Sequence, residues 1–166
     1  MQTAKELLKF IESSPSCYHV IRNFRELLRA EGYTELYEQE KWTLTQGGKY
    51  FVVRNESSVI AFRVPGFDFT GFMMSAAHSD SPTFKIKELP EMTVEEHYVK
   101  LNTEKYGGMI LSTWLDRALS VAGRVVVREG RELVTKLVNV DKDLLVIPNV
   151  AIHMNREMNK GVEYNP

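Results

Sequence analysis

The sequence predicts a mixed α/β protein in which two helices, a β-hairpin and a buried central strand precede a mostly β unit. Apolar residues recur at helical spacing in the amino-terminal part of the chain, up to Ala30. β-rich runs separated by turn residues follow, and the sequence beyond Pro90 shows no strong amphipathic helix. We therefore expect a domain boundary near Leu89-Pro90-Glu91, with one domain over residues 1–90 and another over residues 91–166.

The first unit is predicted to start with two helices. The first should end at Ser13-Ser14-Pro15, because proline disfavours helical backbone in the residue before it. The second is predicted over residues 18–30, where apolar side chains return every three or four residues and form one buried stripe. Gly32 follows as the expected carboxyl-terminal cap.

Strands are predicted in both units. Residues 49–54 and 59–64 indicate a hairpin, and the short apolar run 72–77, bounded by loops, is typical of a buried central strand. The second unit should contain strands over residues 97–101, 124–128 and 132–138, with a turn at Gly130.

Composition and charge favour one class of protein over others. The chain has 166 residues, is 43% hydrophobic and carries a net charge of −1, which indicates a soluble globular protein with a sizeable core. Near-neutral charge gives no reason to expect nucleic acid or an anionic membrane as a partner. No apolar stretch is long enough to span a bilayer. The single cysteine, Cys17, excludes an internal disulfide and is typical of a cytoplasmic protein.

The most informative motif is Ala77-His78-Ser79-Asp80-Ser81-Pro82, at the end of the apolar run. In extended chain, residues two apart point to the same side, so His78 and Asp80 can face one site. Neutral imidazole is a common zinc ligand, and a nearby carboxylate can orient the ring or handle a proton. By itself the spacing also fits an ordinary turn, and a catalytic zinc site needs three or more protein ligands.

Other polar residues give weaker signals. Asp116-Arg117 follows a glycine pair and fits a charged site or, as we favour, a solvated turn with a local ion pair. His153 lies in an apolar context, where a lone histidine is more often a hydrogen-bonded structural residue than a ligand. His19 and His97 are expected at the surface.

Taken together, these segments resemble one family, the aspartyl aminopeptidases, which are dinuclear zinc exopeptidases. The resemblance covers essentially the whole chain, and several motifs in order are far more specific than any one alone. In chain order the matching segments are Ser13-Ser14-Pro15-Ser16, Gly47-Gly48-Lys49-Tyr50, Ile60-Ala61-Phe62, Ala77-His78-Ser79-Asp80-Ser81-Pro82, Tyr106-Gly107-Gly108, Trp114-Leu115-Asp116-Arg117, residues 119–123, Ile147-Pro148 and Ala151-Ile152-His153.

The resemblance implies roles for individual residues. His78 matches the family's first zinc ligand, and Asp80 matches the catalytic aspartate that orients and polarises that histidine. His153 matches a histidine of the dimerisation (lid) domain that reaches into a neighbouring subunit's active site and touches substrate. Asp116 matches a lid-domain motif rather than the family's metal-bridging aspartate, so we assign it no metal.

The resemblance also implies an activity. A complete member binds two zinc ions, forms a homo-oligomer and releases amino-terminal Asp or Glu from peptides. Residues 1–90 would be the amino-terminal part of the zinc-peptidase α/β domain, and residues 91–166 a partial β-rich dimerisation/lid domain.

Family members run to well over twice this length. The other zinc ligands, the general-base glutamate and the lysine that reads the acidic side chain would lie beyond Pro166, so we expect a truncated chain that is inactive alone. Two alternatives stay open at this point: a non-catalytic assembly or dimerisation module, and a nonfunctional fragment. Metal content and peptidase activity would discriminate among them.

Overall fold

The computed structural model describes residues 2–157 and confirms the mixed α/β class. Its elements are α1 (Gln2–Glu12), α2 (Cys17–Ala30), β1 (Thr34–Leu36), β2 (Lys49–Arg54), β3 (Ser58–Arg63), β4 (Thr83–Val94), β5 (Tyr98–Tyr106), a short 3-10 helix (Leu111–Trp114), β6 (Ala122–Glu129) and β7 (Glu132–Asn139). The order β1-β2-β3 forms a three-stranded sheet, with β1 parallel to β2 and β2 antiparallel to β3. Two antiparallel pairs, β4–β5 and β6–β7, complete the strands.

The chain divides into two compact units, at positions other than the predicted boundary. The first contains the described residues up to Asp80 together with Val121–Asp141, and the second contains Ser81–Ser120 and the described residues from Lys142 onward. The expected boundary at Leu89-Pro90-Glu91 falls inside β4, where the register with β5 shifts. Proline is tolerated in a strand at such a bulge. The assignment of residues 1–90 and 91–166 to a peptidase and a lid domain stays a prediction.

Both predicted helices are present, and α2 ends as Gly32 suggested. The backbone N–H of Tyr33 donates to Leu28 and that of Gly32 donates to Arg29, with Gly32 at a φ of 78°. This pair of bonds satisfies carbonyls at the helix end, and the positive φ explains the glycine. The helix therefore stops by a local signal that the sequence contains.

His19 on α2 is buried, so the expectation of a surface position was wrong. Only 3% of the residue is exposed, and its Nδ1 lies 2.7 Å from the Ser16 hydroxyl. Burial lowers the pKa of His19 below its usual value, and the positive charge of Arg22 lowers it further. The hydroxyl partner lets a neutral imidazole occupy this site without an unsatisfied polar atom at Nδ1.

The core of the first unit lies where α2 meets the small sheet. Ile21 of α2 and Phe51 of β2 are the largest fully buried side chains among the described residues. The predicted hairpin is confirmed, with Phe51 opposite Ala61 and Val52 opposite Ile60. Alternate side chains of β2 and β3 therefore fall on opposite faces of the sheet.

The predicted central strand over residues 72–77 is wrong. These residues lie outside every described strand, and Phe72, Met73 and Met74 are exposed. A buried strand needs hydrogen-bonding neighbours at its edges, and no strand of the described part of the chain pairs with this run. Apolar composition alone could not supply that neighbour.

The β6–β7 hairpin turns at Gly130 and follows its predicted positions closely. β5 is longer than predicted, and its partner β4 was missed by the sequence analysis. Among residues 2–157, no helix is long and apolar enough to cross a membrane.

Replacing Phe51 by Ala should destabilise the first unit by about 3–5 kcal/mol, because the ring is fully buried and leaves a cavity. Chemical denaturation followed by circular dichroism measures the change. Ile60→Ala, at an exposed position of the paired strand, is the matched control and should cost about 1 kcal/mol or less. Equal losses for the two variants would contradict this assignment of the core.

The free energy of unfolding should fall as the pH drops below about 6.5, the ordinary histidine pKa, because the unfolded chain then binds a proton that folded His19 resists. Denaturation midpoints between about pH 7.5 and about pH 5 test this. His19→Gln should flatten the dependence across that window. An unchanged slope in the variant would show that other groups cause it.

Candidate functional site

His78 and Asp80 lie together, as their spacing predicted. The Nδ1 atom of His78 is 2.9 Å from Oδ1 of Asp80. Because a carboxylate only accepts hydrogen bonds, this contact favours the tautomer with its proton on Nδ1. The imidazole is 92% exposed and the Asp80 side chain 34% exposed, so Nε2 is left to the solvent side. One nitrogen is thereby oriented and the other is available to a ligand.

The motif is held by a bond from its middle residue. The Ser79 hydroxyl donates to the carbonyl oxygen of Ser57, at a distance of 2.8 Å. Ser57 belongs to the turn between β2 and β3, in which Asn55 and Glu56 have positive φ. The His78–Asp80 segment is thus fixed to a hairpin of the sheet, although it belongs to no strand itself.

Asp80 also lies in an electrostatic environment shared with Cys17. Burial raises the pKa of the Cys17 thiol, and the negative charge of Asp80 raises it further, whereas the backbone N–H of Tyr18 and the charge of Arg124 lower it. The net effect is a raised pKa, which keeps the thiol protonated and is typical of a structural cysteine. Arg124 also lies over the ring of Tyr18, at the start of α2.

The arrangement fits one zinc ligand rather than a full ligand set. His78 offers Nε2, and Asp80 is engaged with Nδ1. Within residues 2–157, no group of three or more His, Cys, Asp or Glu side chains converges in a way that could hold a metal ion. The described residues therefore offer one oriented imidazole here, without a complete metal site.

His153 occupies a different setting from His78. It is exposed in a turn over residues 152–154, in which the N–H of Met154 donates to Ala151 at 2.8 Å. It belongs to the second compact unit, whereas His78 and Asp80 belong to the first. The structure does not gather the three predicted site residues into one unit.

Asp116 has a structural role in the second unit. Its own N–H donates to the carbonyl of Ile147 (2.9 Å), and its Oδ1 accepts from the N–H of Asn149 (2.9 Å). The residue has a φ of 55°, which aspartate tolerates better than most residues. It joins the segment after the 3-10 helix to the segment around Asn149.

Sequence reasoning missed the residues that hold the motif in place. Ser79 was visible between His78 and Asp80, but its partner lies 22 residues earlier in the chain. Arg124 donates to the carbonyl of Asn55 (2.8 Å), across 69 residues. No local pattern connects residues so far apart.

Residues 10–166 match a family model described as aminopeptidase I zinc metalloprotease (M18). The chain belongs to the M18 aminopeptidase family. It is 52% identical over 171 aligned residues to a probable M18 family aminopeptidase 2 of Clostridium acetobutylicum, covering 100% of this chain and 39% of the relative. It is 43% identical to an aspartyl aminopeptidase of Dictyostelium discoideum, covering 98% of this chain and 34% of that protein. The chain thus spans less than half the length of these curated relatives.

Solved structures of M18 enzymes share the fold. A cryo-EM structure of the Ape4 and Nbr1 complex matches with a TM-score of 0.90 and 38% identity, over 98% of this chain and 32% of that one. A dodecamer of mApe1 from S. cerevisiae matches with a TM-score of 0.78 and 28% identity, over 91% of this chain and 36% of that one. The arrangement of this segment therefore corresponds to about a third of an M18 aminopeptidase chain.

Replacing Asp116 by Gly should speed hydrogen exchange at the Asn149 amide and cost about 1 kcal/mol, because the amide loses its acceptor while glycine tolerates the positive φ. Asp116→Asn keeps a carbonyl oxygen at the same place and should retain protection. Amide exchange by NMR measures both. Equal protection of the Asn149 amide in the glycine variant and the parent chain would contradict the structural role of Asp116.

Proposed function

We propose that this chain supplies part of the active site of an aminopeptidase that uses two zinc ions and releases amino-terminal Asp or Glu from peptides. The observation that carries the proposal is the His78–Asp80 contact of 2.9 Å, with Nε2 of an exposed imidazole left for a metal. Membership of the M18 family supports zinc, and a relative named aspartyl aminopeptidase supports the acidic substrate.

In this proposal His78 is a zinc ligand and Asp80 orients it. By accepting a hydrogen bond from Nδ1–H, Asp80 fixes the ring and its tautomer and makes Nε2 a better electron donor. Zinc, when bound, activates a water molecule and polarises the scissile carbonyl group. The contribution of this chain to that chemistry is a ligand held in one orientation before the metal arrives, which lowers the reorganisation that binding requires.

His153 is proposed to touch substrate in a neighbouring subunit. Its exposed position in a turn leaves the imidazole accessible to another molecule. The resemblance assigns this role to the matching lid-domain histidine, and the related mApe1 is a dodecamer, which supports a homo-oligomer here. An imidazole N–H at that place could donate to the oxygen of the scissile carbonyl group as its negative charge develops.

A non-catalytic assembly module is the second candidate function. It is favoured by one observation: within residues 2–157, His78 has no companion ligands that would complete a metal site. A module of this kind would form a defined oligomer and bind zinc weakly or not at all. For either function we propose a cytoplasmic location, on the basis of the single cysteine.

In the complete enzyme, His78→Ala should lose both zinc and peptidase activity, because it removes a ligand. His153→Ala should lower turnover roughly a hundredfold while zinc content stays normal, since one hydrogen bond to a developing oxyanion is worth about 3 kcal/mol. Metal analysis and an aspartyl-peptide assay measure the two effects. His97→Ala, an exposed turn histidine, is the control and should change neither.

Mixed oligomers of the His78→Ala and His153→Ala proteins should regain part of the activity, because some sites receive both intact histidines from different subunits. No recovery despite confirmed mixing would exclude the role of His153 in trans. Normal zinc content in His78→Ala would exclude His78 as a ligand. Loss of zinc in His153→Ala would make that residue a ligand in its own subunit.

A further inference from the structure

The three residues of the His78-Ser79-Asp80 motif make bonds in two different places. His78 and Asp80 bond to each other, whereas the Ser79 hydroxyl donates to the Ser57 carbonyl at 2.8 Å. Ser79 is half-buried, in contrast to His78 beside it. Ser79 therefore attaches the motif to the β2–β3 turn, while His78 remains exposed with Nδ1 bonded to Asp80.

This attachment matters because the backbone around the motif has no strand to hold it. Residues 64–82 lie outside every described helix and strand. A segment of this kind moves readily unless side-chain bonds fix it. An exposed imidazole on a mobile segment would lose orientational entropy on binding a ligand, whereas an anchored one has lost most of it already.

The β2–β3 turn that accepts the Ser79 bond is itself held in place by Arg124. The Arg124 guanidinium donates to the carbonyl oxygen of Asn55 (2.8 Å) and to its side-chain Oδ1 (3.2 Å). It also lies 4.4 Å from the ring centroid of Tyr18, within the range of a cation–π contact. The turn contains Glu56 at a φ of 54°, a conformation that glutamate adopts rarely. Arg124 therefore ties this unusual turn to β6 and to the start of α2.

We propose that Ser79 is a positioning residue, which holds His78 and Asp80 in register through the Ser57 carbonyl, on a turn braced by Arg124. The functional meaning of this inference rests on the proposed zinc role of His78. The geometry involves only residues of this chain, so it can be tested without metal or substrate.

The test is NMR of the metal-free chain with 15N-labelled histidine, at a pH where the imidazoles are neutral. The chain has four histidines, so each ring is assigned by one substitution. In the parent chain His78 should show the Nδ1–H tautomer, and exposed His97 gives the reference for an unconstrained ring. Ser79→Ala should lose that signature and shift His78 towards the His97 pattern.

Three further variants make the result specific. Ser79→Thr keeps the hydroxyl and should retain the His78 signature, and Ser81→Ala, at an exposed neighbouring serine, should leave it unchanged. Arg124→Lys, which loses the paired bonds to Asn55, should weaken the signature. A circular dichroism melt of each variant confirms that the fold survives.

The inference is overturned if folded Ser79→Ala keeps the parental His78 signature, or if folded Ser79→Thr loses it as fully as Ser79→Ala does. A parent chain in which His78 already resembles His97 would overturn it as well. Failure of the proposed function is a separate result, namely normal zinc content in the His78→Ala form of the complete enzyme.

Discussion

The packing of α2 against the small sheet is the interaction on which the first unit depends. Ile21 is buried on one face of this helix, and Phe51 is buried on β2. On the same helix, Arg25 and Arg29 both bond to Glu35 of β1, at 3.0 Å and 2.6 Å, and the Glu35 side chain is only 8% exposed. A buried carboxylate is tolerated because two guanidinium groups neutralise and bond it. Apolar burial and this ion triad together fix α2 on the sheet.

The candidate site depends on that packing indirectly, through the β2–β3 turn. The β2–β3 turn is positioned by the sheet, and α2 supplies Tyr18, over which the Arg124 guanidinium lies. The Ser57 carbonyl of this turn accepts the hydrogen bond from the Ser79 hydroxyl. An exposed histidine thus acquires a defined orientation from a chain of side-chain bonds, without a strand of its own. The surface position keeps Nε2 of the imidazole accessible, and the anchoring bonds restrict its motion.

Local patterns determined much of the architecture. Helical periodicity and Gly32 located α2, since a helix and its cap are built from bonds between residues at most five apart. The two confirmed hairpins, β2–β3 and β6–β7, are also local, because each pairs strands across a short turn. His78 and Asp80 were found for the same reason, as two residues of extended chain share a side. The family resemblance in turn came from several motifs read in order.

Only the tertiary structure decided the features that need a distant partner. The apolar run 72–77 has strand-like composition, yet a strand forms only where another strand offers its edge. The segment of mixed apolar and polar residues that forms β4 pairs with β5, and a bulge accommodates Pro90. The burial of His19 depends on what packs over α2, and the bonds of Ser79 and Arg124 to the β2–β3 turn span 22 and 69 residues. By itself the sequence identified His78 and Asp80 as candidate site residues, because residue type and near-neighbour spacing are local properties. The structure decided how those residues are held, because hydrogen bonds between distant segments form only after the chain has folded.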